Sequence, residues 1–516
     1  MTSTHGTVLP LTAGQVEIWL DAQAAGRNNA YNSAGYLDLR GPLDRRRLRA
    51  ALRRLFEEAQ CLRARFTDID GEPRQHIEQL DELPLYEQDL RSSADPRGAA
   101  LAWMSADLDV PFGLDDFPLM RTALLTVGDE RSYFYLCVHH LLCDGFSQTV
   151  LWRRLAELYE ADPEGAVPGR ALPPLSELTD AESAYRESTG ARRDQTFWRG
   201  RFPEPPELVT LSRRPESHGL PTGFLRVSAA LSAGAARRLR DSARRADVTL
   251  PTAAVAAVAV HTQRTAGTEE VLLTLAASAR MSARQRAVPG MMANYLPLRV
   301  PVRPTLTKAE LLRRASRELA QVLKHQRHRV SAIRRDMGLR AEDRRPFGPF
   351  VNLLPQQASL ALGPCTAEVN NLSTGLVDDL MITVVERADD GIELHLNANP
   401  DRYTAEEARA HLDQLTAFTE EFAAAADDEP IGRVGAAGDT EEAWLRTGTG
   451  PVRAADFACV VERVRAQAAR RPEAIAVRRT ASASPTPPSW AGPAPCRARF
   501  PAPGWSAFSR RPAPGS

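Results

Sequence analysis

The chain carries no excess charge of either sign, since 65 basic residues are balanced by 65 acidic ones. It has no field that would attract nucleic acid or an anionic membrane, so neither is expected as a partner. Cysteine is sparse. Cys61, Cys137, Cys143, Cys365, Cys459 and Cys496 are scattered, with no CxxC pair and no metal-ligand spacing. A reducing cytoplasm is then the simplest compartment. The stretch from Met1 to Gly14 lacks a basic region followed by an apolar run, which excludes a signal peptide. No segment approaches the roughly 20 apolar residues of a membrane helix. No short tandem repeat is visible. The expectation is a soluble, cytoplasmic monomer with no bound metal.

What is present is ordinary globular material, 43% hydrophobic and 25% charged over 516 residues, enough for two to four domains. Periodicity predicts a helix over Thr12 to Gln23 with Val16, Trp19 and Leu20 on one side, then a strand through Tyr36 to Leu39. Asp44 can cap a helix in which Leu48, Leu52, Leu55 and Phe56 recur at helical spacing. Tyr133 to Val138 reads as a buried strand. It runs into His139 and His140, turns at Asp144-Gly145 and enters a helix from about Ser147, with Leu151, Leu155 and Leu158 on one face.

A proline-rich connection, Pro163 to Pro174, precedes a second half of similar style. It holds a helix from about Thr252, strands at Val271 to Ala276 and Leu296 to Val302, and a long helix opened by the capping-box pair Thr307 and Glu310. Leu311, Leu312, Leu319 and Leu323 are expected inside that helix. Helices and strands alternating in two comparable halves predict a two-lobed α/β fold. Beyond about Asp439, Phe457 to Ala474 reads as one more amphipathic helix. From Thr480 the chain is proline-rich and without period.

The most informative string is His139-His140-Leu141-Leu142-Cys143-Asp144-Gly145. Adjacent residues leaving a strand point to opposite faces, so one histidine of the two faces a given cleft. An imidazole titrates near neutrality and suits proton transfer. Gly145 permits a tight backbone path. A lone His-His pair more often reads as a buried histidine beside an Asp-Gly turn; the complete HHxxxDG string on a strand-turn-helix is far more specific.

HHLLCDGFS resembles the active-site signature of condensation domains of nonribosomal peptide synthetases, relatives of the chloramphenicol acetyltransferase fold. Other stretches follow in the family's order: Leu9 to Gln15 with Ile18-Trp19, Leu62 to Phe66 (with Gln60 where glutamate is usual), Tyr185 to Trp198, Pro289-Gly290 through Asn294 with Leu296 to Leu298, His325 to Arg327, and Phe347 to Asn352. The resemblance covers about residues 8 to 425. Within the family it is most similar to domains of siderophore synthetases that acylate an amino acid at the start of a peptide.

The resemblance implies an α/β, two-lobed, pseudo-dimeric fold with a V-shaped cleft and a central tunnel. Residues 1–175 and 176–435 would form the two lobes. It also implies amide bond formation between a donor acyl or peptidyl thioester and an aminoacyl amine. Both would be carried on phosphopantetheine arms of donor and acceptor carrier proteins, with no cofactor bound. His140 is then the tunnel histidine beside His139, and Asp144 is structural, paired with an arginine across the lobes. Arg280 is the candidate, against Arg284 and Arg286. Gly145 keeps the backbone near the thioester. Trp19 and Asn294 read as packing and strand hydrogen bonding. Cys143 lies at a variable motif position with no partner placed to activate it.

Whether His140 removes a proton or positions the amine stays open. Two rivals remain: an acyltransferase or ester-forming relative using a small soluble or hydroxyl acceptor, and an inactive docking platform for carrier proteins. An epimerization domain usually has tryptophan where Gln148 follows Ser147, and a heterocyclization domain replaces the histidines by aspartates.

At the ends of the chain, the first motif begins close to Met1, so the donor is expected on a separate polypeptide. Residues 436–479 are expected to be a linker and the truncated start of an adenylation domain, carried by Val460 to Val477. Residues 480–516 read as a disordered or out-of-frame tail. Codons taken from the third base onward at Thr480 to Thr486 permit Asp-Gly-Glu-Arg-Leu-Thr-Tyr, the kind of segment that family has next.

Overall fold

A computed structural model describes residues 7–161, 169–215, 219–268, 270–339, 346–354, 359–387 and 389–435, with 466–467 and 469–470. Apart from those four helical positions, the expected adenylation start and the tail lie outside the described residues. So does the first part of the Pro163 to Pro174 connection.

Helix starts follow local chemistry. Thr12, Asp44, Thr249, Thr307 and Thr404 each accept a backbone N–H with the side-chain oxygen at the head of a helix. Thr12 does so in a capping box with Gln15, opening the helix Ala13–Ala25. That helix buries Ile18, Trp19 and Ala22, and Leu20 is 58% exposed. Leu323 is likewise exposed on the rim of the helix Lys308–Lys324. Both leucines sit one position beyond the stripe that meets the core, where a periodic reading has least resolution.

The described strands form three sheets. One has the order Leu360–Leu362, Cys365–Thr374, Asn32–Arg40, Arg131–His139, Met120–Gly128, Leu85–Asp89. A second has the order Asn294–Pro301, Glu270–Ala277, Phe350–Leu354, Leu380–Glu386, Ile392–Ala398, Leu225–Ala230. A small third sheet pairs Thr7–Pro10 and Ala64–Ile69 with Glu72–Ile77. Two hydrophobic cores result, one around Leu37, Phe134, Tyr135 and Leu151, the other around Val255, Leu273, Leu298 and Ile382.

Residues 360–374 belong by sequence to the second half, yet they are hydrogen-bonded into the sheet of the first. Val369 lies opposite Leu37 and Asn371 opposite Gly35, and the register shifts between Asn371 and Ser373. Gly35 is required by this close approach: a methyl group there would stand 2.9 Å from the Asn370 carbonyl oxygen. Among the described residues no helix is long and apolar enough to cross a membrane.

Candidate active site

The strand Arg131–His139 is buried almost throughout because it runs between Asn32–Arg40 and Met120–Gly128. Its end delivers two histidines in opposite directions. His139 packs into the first core between Tyr31 and Phe112, ring centroids 5.8 and 6.3 Å away, and its Nδ1 accepts the Leu141 N–H at 3.2 Å. Burial, with the neighbouring His140, pushes its pKa down to about 3.

The His140 ring turns instead toward the strand that crosses over. Gly375, just past that strand, has φ +86°, and a methyl group on it would lie 2.7 Å from His140 Cδ2. Among the described residues, the buried His140 Nδ1 has no hydrogen-bond partner. Burial lowers its pKa below the usual imidazole value, against the opposing pull of Asp144 and of the His140 and Thr374 backbone. His140 is therefore neutral at pH 7, with a lone pair free to accept a proton or a hydrogen bond.

Asp144 is the N-cap of the helix Gly145–Glu160, so the expected Asp-Gly turn is a cap and the helix starts two residues earlier than Ser147. Its Oδ1 accepts the Ser147 N–H at 2.9 Å and the Ser147 hydroxyl at 2.7 Å. Its Oδ2 accepts Arg280 Nη1 at 2.7 Å and the Met292 and Ala293 N–H groups at 3.0 Å each. Burial works to raise the Asp144 carboxyl; the Arg280 charge and these donors outweigh it and hold the carboxyl below its usual range.

The Arg280 side chain is 0% exposed and also bonds the Ser147 hydroxyl and the Gly290 carbonyl, at 3.0 and 2.8 Å. The structure thus brings Asp144 and Arg280 together. Arg284 pairs on the surface with Glu177, and Arg286 is exposed. Gly145 is exposed at the first turn of its helix, with nothing within 4 Å of where a side chain would begin.

Other motif residues brace this loop. Gln15 Nε2 donates to the Leu141 carbonyl at 2.9 Å, and the Thr12 hydroxyl to the Met291 carbonyl at 2.8 Å. Asn294 donates to the Gln326 and His328 carbonyls and accepts the Val330 N–H, clasping a turn. Trp19 packs on Phe66. His325 of the second half stacks on Phe197, centroids 3.9 Å apart, and bonds Asp194 at 2.8 Å, which anchors the stretch Tyr185 to Trp198. Burial raises the Cys143 thiol well above its usual value and leaves it protonated.

Sequence reasoning missed Ser147, Gly375 and the crossing strand. Ser147 had a signal, since an Asp followed three residues later by Ser sits at cap spacing. A relay runs from Gln148 through Ser33 to Ser373, whose hydroxyl accepts the Gly375 N–H at 3.1 Å, so the wall facing His140 is tied to the motif helix. Gly375 also lines a cavity of about 320 Å³, together with Asn32, Phe224, Arg226, Ser373 and Val377 among others. Among the described residues no group of three or more His, Cys, Asp or Glu side chains is placed to hold a metal ion.

A family model described as Condensation domain matches residues 5–445. The dimodular nonribosomal peptide synthase of Bacillus subtilis (strain 168) is 33% identical over 437 residues, 84% of this chain and 18% of that protein. Enterobactin synthase component F of Escherichia coli (strain K12) is 30% identical over 423 residues, 81% of this chain and 32% of that one. The chain thus spans less than a third of the length of these relatives.

Among solved structures, the first condensation domain of the CDA synthetase is 30% identical with a TM-score of 0.78, covering 84% of this chain and 99% of that one. The starter condensation domain of rhizomide synthetase is 30% identical with a TM-score of 0.70, covering 84% and 100%. With its motif on the matching fold, the chain belongs to the condensation-domain family, the acyl-transferring, amide-forming enzymes of nonribosomal peptide synthesis with a chloramphenicol acetyltransferase-like architecture.

Proposed function

We propose that this domain takes a donor acyl or peptidyl group from the phosphopantetheine thioester of one carrier protein. It passes that group to the amine of an aminoacyl thioester on another, with His140 touching the attacking amine. Asp144 and Arg280 hold the loop that presents His140, and Gly145 leaves the backbone open beside it. The observation that carries the reading is the state of His140: buried, neutral, its Nδ1 without a partner among the described residues, and its ring against Gly375 at the wall of a cavity.

An α-amine must be neutral, close and aligned to attack a thioester carbonyl. Well-oriented reactants can gain about 7 to 11 kcal/mol. Proton removal by a general base adds roughly 10² to 10⁴ in rate, about 3 to 5 kcal/mol. Positioning is the larger effect, and a neutral imidazole can serve either end.

His140→Ala is expected to lower single-turnover transfer between two loaded carrier proteins at least tenfold while the melting temperature holds. Transfer at the wild-type rate would overturn the assignment. His140→Asn separates the roles, because it keeps a hydrogen-bonding group but no basic nitrogen.

A further inference from the structure

Arg226 lies on the strand Leu225–Ala230 and lines the same cavity as Gly375. Among the described residues its hydrogen bonds go to neutral oxygens: Nε to Asn397 Oδ1 at 2.8 Å, Nη1 to the Asn371 carbonyl at 2.7 Å and Nη2 to Asn371 Oδ1 at 3.1 Å. A guanidinium has five N–H donors, so two remain for something else. Arg226 is half-buried, and no carboxylate among the described residues forms an ion pair with it, in contrast to the buried Arg280. Burial, opposed only by distant Glu393, pushes its pKa down to about 10, so it stays charged at pH 7.

Phe224 also lines the cavity, its ring 5.3 Å from the guanidinium carbon, and gives the site a flat apolar side. The cavity's other charged group, Asp109, is exposed and bonded to Asn29. From Asn371, which Arg226 grips, to Gly375, which His140 touches, the chain runs four residues, about 13 Å at most in extended conformation.

We infer that Arg226 is a specificity-determining residue that receives an acceptor oxygen, carboxylate or phenolic, at the far end of a substrate's acyl group while the thioester lies at His140. The inference rests on the transfer reaction proposed above. Two matched pairs of pantetheine thioesters test it by calorimetry: glutaryl against pentanoyl, and 4-hydroxybenzoyl against benzoyl. The wild-type domain should bind the oxygen-bearing member of at least one pair tenfold or more tightly, and the pair that discriminates identifies the source of the oxygen.

Arg226→Met should bring that preference within twofold and leave the other member's affinity unchanged. Arg226→Gln, which keeps donors for Asn371, should do the same and covers the case where the first variant fails to fold. Equal binding within both pairs by the wild type, or a preference that survives substitution, overturns the inference. Amide formation without the preference removes the role of Arg226 alone; the preference without amide formation from any loaded pair removes the proposed reaction alone.

Discussion

Replacing Arg280 by methionine keeps an unbranched apolar stem and deletes the charge, leaving the Asp144 carboxylate, 1% exposed, without its cation. Removing one partner of a buried pair costs about 3 to 5 kcal/mol. Asp144 would retain the Met292, Ala293 and Ser147 donors, so the lower end, about 3 kcal/mol, is expected. With a urea dependence of about 3 kcal/mol per molar, the midpoint of unfolding should fall by about 1 M.

Arg284→Met is the control. Its pair with Glu177 is 60% exposed on the arginine side and should cost under about 1 kcal/mol. Adding Asp144→Asn to Arg280→Met should cost less than the sum of the single changes, since the stranded charge is gone. The measurements belong at pH 7 to 8. The Asp144 carboxyl is held below its unfolded value, so its stabilisation is full above about pH 4 and is lost as pH falls further. A midpoint for Arg280→Met no lower than that of Arg284→Met would refute the reasoning.

Gly375→Ala forces a side chain into left-handed backbone and against the His140 ring; a stability loss of about 1 to 2 kcal/mol and at least a tenfold drop in amide formation are expected, with carrier binding unchanged. Wild-type turnover by this variant would show that the ring is not held by that wall. His139 and His140 both titrate lower in the folded than in the unfolded protein, so their contribution is intact above pH 6.5 and is lost as pH falls. His139→Phe should flatten the loss of stability between pH 6.5 and about 3, measured by urea midpoints across that range. A slope equal to wild type would count against the burial argument.

Local chemistry was legible where one residue decides it. The caps at Asp44 and Thr307 and the buried run of Tyr133 to Val138 need only neighbours in sequence. The opposed directions of His139 and His140 follow from strand geometry alone. Arg280, Arg284 and Arg286 look alike as letters. What separates them is the carbonyl of Gly290 and the hydroxyl of Ser147, which only the folded chain assembles around one guanidinium. The strand Cys365–Thr374 was illegible for the same cause, because its partner Asn32–Arg40 lies more than three hundred residues away and leaves no local trace. Gly375 and Arg226 went with it, since both matter through that strand.

The bond between Ser33 and Ser373 joins residues 340 apart. At about 5 to 20 residues per second, a ribosome needs about 17 to 70 s between making the two. Throughout that interval the flank of Asn32–Arg40 that Cys365–Thr374 will occupy has no native neighbour, and it is open to pairing with another nascent chain. Asp38 and Arg40, charged side chains on that flank, are the kind of residue that discourages such an error until the late segment arrives.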